Sequence, residues 1–250
     1  MVALLFVVRV QPVAAQGVVA DLPLPSGGSE RVVLLPAPQT RATVILLAGG
    51  EGIVQIDNSG DTRNGNFLVR TRALWQQYGI NAVVLASPDG HSLMGQRHLP
   101  AYAAALGVAV DFARSRANAP VWLIGTSQGS TAAANGAAHL GIKVAGVVLT
   151  SSVTRMGRAG ETAFESEPGA IRVPALVVSN TGDQCQFSPP GDGPRLLAAL
   201  AASPRREFIT VASNEIRGAP CEAFSPHGYL GIEATVVARI ADWISVGPGR

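Results

Sequence analysis

From position 17 onward the chain alternates short β-branched apolar runs with Ala-rich stretches of helical spacing. The runs at 18–22, 31–35, 43–47, 82–85, 121–124, 144–149, 175–179 and 207–211 predict eight strands. From the third run onward most are apolar throughout. A half-exposed strand would alternate, so these read as parallel strands covered on both faces. Helical patterns fall between them at 67–78, 100–116, 129–139, 194–202 and 231–244. No helix separates the first two strands, and segment 25–30, Pro-Ser-Gly-Gly-Ser-Glu, reads as a turn. An antiparallel start followed by repeated βα units predicts an α/β fold: a three-layer sandwich around a mostly parallel, eight-stranded sheet. No internal repeat or long linker divides the chain.

Composition narrows the role. The 250 residues suit one well-filled domain, and 47% hydrophobic against 14% charged residues excludes a disordered chain. No apolar stretch reaches the length of a spanning helix, so membrane insertion is not expected. The net charge is +2, and a single lysine, Lys143, stands among 19 scattered basic residues. A nucleic-acid partner would need those charges clustered.

The first residues differ from the rest. Positions 2–8 are apolar, and Val13-Ala14-Ala15 before Gln16 has the small residues of a signal-peptidase site. Residues 1–15 therefore read as a signal peptide and 16–250 as the mature domain, placing the protein in a secreted or periplasmic setting. Arg9 interrupts the apolar run and no basic residue precedes it. A start codon placed too late accounts for the second feature; the competing reading is the first strand of a cytoplasmic protein. Cys185 and Cys221 lack both CxxC and zinc-site spacing.

One motif carries chemistry. Gly125-Thr126-Ser127-Gln128-Gly129 is a G-x-S-x-G string lying between an apolar strand, Trp122-Leu123-Ile124, and a helix of small residues. A serine on so sharp a strand-to-helix turn needs glycine on both sides, and its oxygen stands beside a helix N-terminus that favours negative charge. The bland reading is a glycine-rich turn without chemistry. Gly90-His91-Ser92-Leu93 is a decoy, because Met94 replaces the second glycine.

With these residues the chain resembles the α/β-hydrolase superfamily over roughly positions 43–244. The resemblance implies a nucleophile, acid and base in that order along the chain. Ser127 is the nucleophile. Asp183 is the acid, at the end of the apolar run into Asn180-Thr181-Gly182-Asp183, with Asp192 as the next candidate in a Pro/Gly-rich loop. His227 is the base, since it alone of four histidines follows the last strand; His91 and His98 come too early, and His139 falls at a helix C-terminus. The resemblance also implies two oxyanion donors: the N–H of Gln128 and one from Leu47-Ala48-Gly49-Gly50-Glu51-Gly52, with Gly50 preferred over Glu51. Ala48 departs from the superfamily's HGGG-type loop, where histidine is usual. Because the acid and base loops must meet, Cys185 and Cys221 are expected to be neighbours and to pair as a disulfide; two buried free thiols are the alternative.

These residue types fit nucleophilic catalysis. A serine hydroxyl attacks only when an imidazole takes its proton, and a carboxylate sets the imidazole's tautomer. The expected substrate is a small-molecule ester. Thioester, amide or acyl-transfer chemistry on the same triad, or a non-catalytic binding protein, are the alternatives. No cofactor or metal is implied: the loop at 49–52 lacks the spacing of a dinucleotide cradle and the Lys-Ser/Thr of a P-loop. Segment 151–173 is too short for a large cap and predicts at most a small flap over an open site. Its mixed content (Arg155, Met156, Arg158, Glu161, Phe164) defines no substrate, and the oligomeric state is not legible.

Overall fold

The computed structural model describes residues 17–246. The segment read as a signal peptide, residues 1–15, lies outside the described residues. Eight strands form one sheet: β1 (Val18–Pro23), β2 (Ser29–Leu35), β3 (Ala42–Leu47), β4 (Ile80–Leu85), β5 (Val121–Thr126), β6 (Gly146–Thr150), β7 (Ala175–Asn180) and β8 (Arg206–Val211). Their spatial order is β1-β2-β4-β3-β5-β6-β7-β8. Only β2 runs against its neighbours; the pairs from β4 to β8 are parallel.

Composition follows position. Every residue of β3, β4, β5, β6 and β7 is buried, whereas β1 and β8 at the two edges carry exposed residues. The period of two sorts the side chains onto two faces. Ile45, Leu47, Leu123 and Leu149 pack on one face against α2 (Pro100–Arg116), α3 (Gln128–Leu140) and α4 (Gly193–Ala199). Val44, Leu46, Ile124 and Val148 pack on the other, against the short helix between β3 and β4 and the C-terminal α5 (Glu233–Ser245). The result is the expected three-layer α/β sandwich.

Two expectations change. The helix expected at 67–78 is split into α1 (Phe67–Arg70) and a 3-10 helix, Arg72–Tyr78. At the break the Thr71 hydroxyl bonds back to the Phe67 carbonyl at 2.8 Å, and such local bonding by threonine distorts a helix. Segment 151–173, expected to form at most a small flap, forms none. It holds only one 3-10 turn, Pro168–Ala170, and is packed into the body through buried Ser151, Ser152, Val153, Glu161 and Ser166. Its anchor is Glu161, fully buried, whose carboxylate accepts from the backbone N–H groups of Gly95, Arg97 and His98 at 3.1, 2.9 and 3.2 Å. The Glu161 charge thus caps a second loop rather than facing solvent.

Candidate active site

The serine turn is built by exclusion. Ser127 sits between β5 and α3 with φ 55° and ψ −126°, a backbone region that L-residues rarely adopt. A Cβ at Gly125 would lie 2.0 Å from the Gly129 carbonyl oxygen, and one at Gly129 would lie 2.1 Å from that of Leu47. Both glycines of the motif are therefore required by contact. The neighbouring strand holds the turn: Ser127 N–H donates to the Thr150 carbonyl at 3.0 Å, and the Thr150 hydroxyl donates to Gly125 O at 3.0 Å. Strain of this kind persists only where the surroundings over-determine it.

Asp183 follows β7 and is 7% exposed; His227, in the 3-10 turn Pro226–Gly228, is 4% exposed. His227 Nδ1 lies 2.9 Å from Asp183 Oδ2, although 44 positions separate the residues. The other carboxylate oxygen accepts the Cys185 N–H at 2.8 Å. With Nδ1–H donating to the carboxylate, Nε2 is left as the acceptor, the tautomer a general base needs. Nε2 is buried and has no hydrogen-bond partner among the described residues. Asp192, the alternative acid, is engaged elsewhere, with Thr154 Oγ1 at 2.9 Å and Arg155 Nε at 3.2 Å from its Oδ2.

Other residues hold the pair in place. Ser188 Oγ donates to Asp183 Oδ2 at 3.2 Å and lies 2.9 Å from His227 Nδ1. Asn180 Nδ2 donates to the Pro226 carbonyl at 2.8 Å, joining the acid loop to the histidine loop. Tyr229, fully buried, donates from its hydroxyl to Val178 O at 2.9 Å and accepts the Ser151 N–H at 3.0 Å. Burial pushes that phenol well above its ordinary range, so it remains a neutral donor. Cys185 and Cys221 form a disulfide with Cα atoms 4.5 Å apart. Sequence patterns singled out neither Ser188 nor Asn180 nor Tyr229, because short polar residues also serve ordinary turns and a buried tyrosine also serves a hydrophobic core.

Ser127 and His227 line one cavity of about 390 Å³, together with Gly49, Gly50, Asn66 and Phe224. A Cβ at Gly49 would fall 2.8 Å from Ser127 Cβ, so only glycine lets this loop approach the serine. Gly50 has φ 60°, and the turn closes with Gly52 N–H donating to Gly49 O at 3.1 Å. Gln128 opens α3, where the first backbone N–H groups have no partner within the helix. Among the described residues no group of three or more His, Cys, Asp or Glu is placed to hold a metal ion. None of the described helices is long and apolar enough to cross a membrane.

No family model matches the chain, and no curated protein matches it in sequence. Solved structures do match in shape. The dienelactone hydrolase of Anabaena variabilis superposes with a TM-score of 0.67 at 16% identity, covering 94% of this chain and 99% of that one. An esterase of Pyrococcus furiosus gives 0.68 at 9% identity over 94% and 93% of the two chains. A serine hydrolase without lid from Xanthomonas campestris gives 0.59 at 16% identity over 92% and 98%. The strand order, the single reversed strand and these likenesses give the chain the α/β-hydrolase fold.

Proposed function

We propose that the protein is a serine hydrolase that cleaves carboxylic esters through an acyl-enzyme on Ser127. The observation that carries this reading is the convergence of a strained serine turn and a buried Asp183–His227 pair on one cavity. Ser127 Oγ attacks the ester carbonyl carbon while His227 Nε2 takes its proton. Asp183 stabilises the imidazolium that forms. The carbonyl π electrons move onto oxygen, and the oxyanion is met by the N–H groups of Gln128 and Gly50. Collapse breaks the bond to the alcohol, which leaves with the proton from His227. Water, activated by the same imidazole, then releases the acid and restores Ser127.

Ester cleavage is favoured over amide cleavage because an alkoxide leaves without the full protonation an amine requires. The esterase and dienelactone hydrolase activities named for proteins of the same shape support the same bond class. The Cys185–Cys221 disulfide between the acid and histidine loops supports an oxidising compartment. Export with cleavage after Ala15 belongs to this proposal, and N-terminal sequencing of the protein from its host tests it: a chain retaining Met1 refutes export.

The activity is tested by fluorophosphonate labelling together with hydrolysis of p-nitrophenyl esters of graded acyl length, with matched thioesters and amides alongside. Labelling confined to Ser127 and turnover of esters are expected. A folded protein that takes no label and turns over none of these substrates is a binding protein instead.

A further inference from the structure

Outside the triad, a buried cation stands behind the glycine loop. Arg97 is fully buried, in the loop that precedes α2. Its Nη2 donates to the Gly50 carbonyl at 2.8 Å and reaches the Ala48 carbonyl at 3.5 Å. Its Nη1 lies 3.6 Å from Oε1 of Glu161, which is also fully buried. The glycine loop wraps closely around it: a Cβ at Gly52 would fall 2.7 Å from Nη2. Leu93, in the same segment as Arg97, donates its N–H to the Glu51 carbonyl at 2.8 Å.

A trans peptide points its N–H opposite its carbonyl, so fixing the Ala48 and Gly50 carbonyls fixes the N–H groups of Gly49 and Glu51, on either side of Gly50. The Gly49–Gly50 peptide carries the Gly50 N–H and lies between the two peptides whose carbonyls Arg97 reaches. Gly49 and Gly50 face the Ser127 cavity, and Arg97 stands on the other side of the loop. Burying a guanidinium is costly unless it is paired and bonded, and a loop rich in glycine has no stiffness of its own. We propose that Arg97 is a positioning residue for the oxyanion loop: paired with Glu161, its guanidinium fixes the peptides on both sides of the Gly49–Gly50 peptide, whose own carbonyl accepts the Gly52 N–H, and so sets the Gly50 N–H toward the site where the oxyanion forms. Segment 151–173 thereby contributes to catalysis through Glu161 without entering the cavity.

This inference rests on the proposed acyl-enzyme mechanism, and its test separates the two. Arg97→Lys keeps the charge beside Glu161 but loses the planar fork; Arg97→Met removes the charge. Each is assayed below its melting temperature with p-nitrophenyl acetate, and each is titrated with a short alkyl trifluoromethyl ketone, which forms a tetrahedral adduct with a serine. The expected result for Arg97→Lys is a kcat lower by about 10- to 100-fold, below the full loss of an oxyanion donor, with KM within about twofold. The ketone's Ki should rise by the factor by which kcat/KM falls. A role in stability alone would lower the melting temperature and leave kcat and Ki unchanged. If Arg97→Met does not fold, Arg97→Lys decides. A folded Arg97→Lys with wild-type kcat, or with a Ki that does not move, overturns this inference while leaving Ser127 as nucleophile. A fully active Ser127→Ala would instead overturn the mechanism beneath it.

Discussion

Cys185 donates its backbone N–H to Asp183 Oδ1 at 2.8 Å, and its sulfur is bonded to Cys221. The disulfide thus holds a direct ligand of the candidate acid against the loop that carries His227. Cys185 is buried, while Cys221 is exposed and lines the cavity. Replacing Cys221 with Ser should destabilise the fold by up to about 4 kcal/mol in the chain-entropy model, and loosening the pair should lower kcat more than it alters KM. Thermal unfolding and kinetics of Cys221→Ser check both effects. Unchanged kcat in the variant would reduce the bridge to a stabilising role.

The strained turn at Ser127 should cost stability. Its φ of 55° is a conformation glycine adopts freely. Ser127→Gly should therefore stabilise the protein by about 1–3 kcal/mol while abolishing turnover. Ser127→Ala should lower turnover by about 10⁴-fold or more with no such gain. Melting temperatures of the two variants, measured side by side, give the comparison. A Ser127→Gly protein less stable than Ser127→Ala would contradict the strain argument.

Ser188 shares Asp183 Oδ2 with the histidine and so should matter to activity without being essential. Ser188→Ala removes one donor to the carboxylate and should lower kcat by about tenfold, in line with one charge-assisted hydrogen bond. Asp183→Asn should be far more severe, because it disturbs the tautomer of His227. Steady-state kinetics on both variants test the ranking. If Ser188→Ala matches Asp183→Asn, the serine has a larger part than support.

Glu30 sets an expectation for pH. Its side chain is fully buried on β2 with no hydrogen-bond partner for either oxygen among the described residues, and burial raises its pKa from 4.5 to about 8. Below pH 4.5 the carboxyl is protonated in both folded and unfolded chains, and its contribution to stability is fully present. Between 4.5 and about 8 the unfolded chain gives up the proton while the folded chain keeps it. Stability therefore falls as pH rises through this window and levels off above it. Glu30→Gln should flatten that fall. Melting curves of both proteins between about pH 5 and pH 8 provide the measurement, and equal slopes would remove Glu30 as the cause.

What the chain alone determined was local. The all-apolar runs became the buried central strands because a parallel strand covered on both faces has no polar side to show. Gly125 and Gly129 were legible because the turn leaves no room for a Cβ at either place. His227 was legible because only one histidine follows the last strand. Tertiary structure decided the rest. Ser188 meets His227 across 39 positions, Arg97 meets Gly50 across 47, and Glu161 reaches Arg97 across 64. No periodicity or turn signal spans such distances, and an arginine or glutamate in a loop looks solvated until the fold closes over it. The break at Thr71 was hidden for a different reason: over so few residues hydrophobic spacing hardly separates one α-helix from a short α-helix followed by a 3-10 helix, and the threonine's bond to the Phe67 carbonyl appears only in the structure.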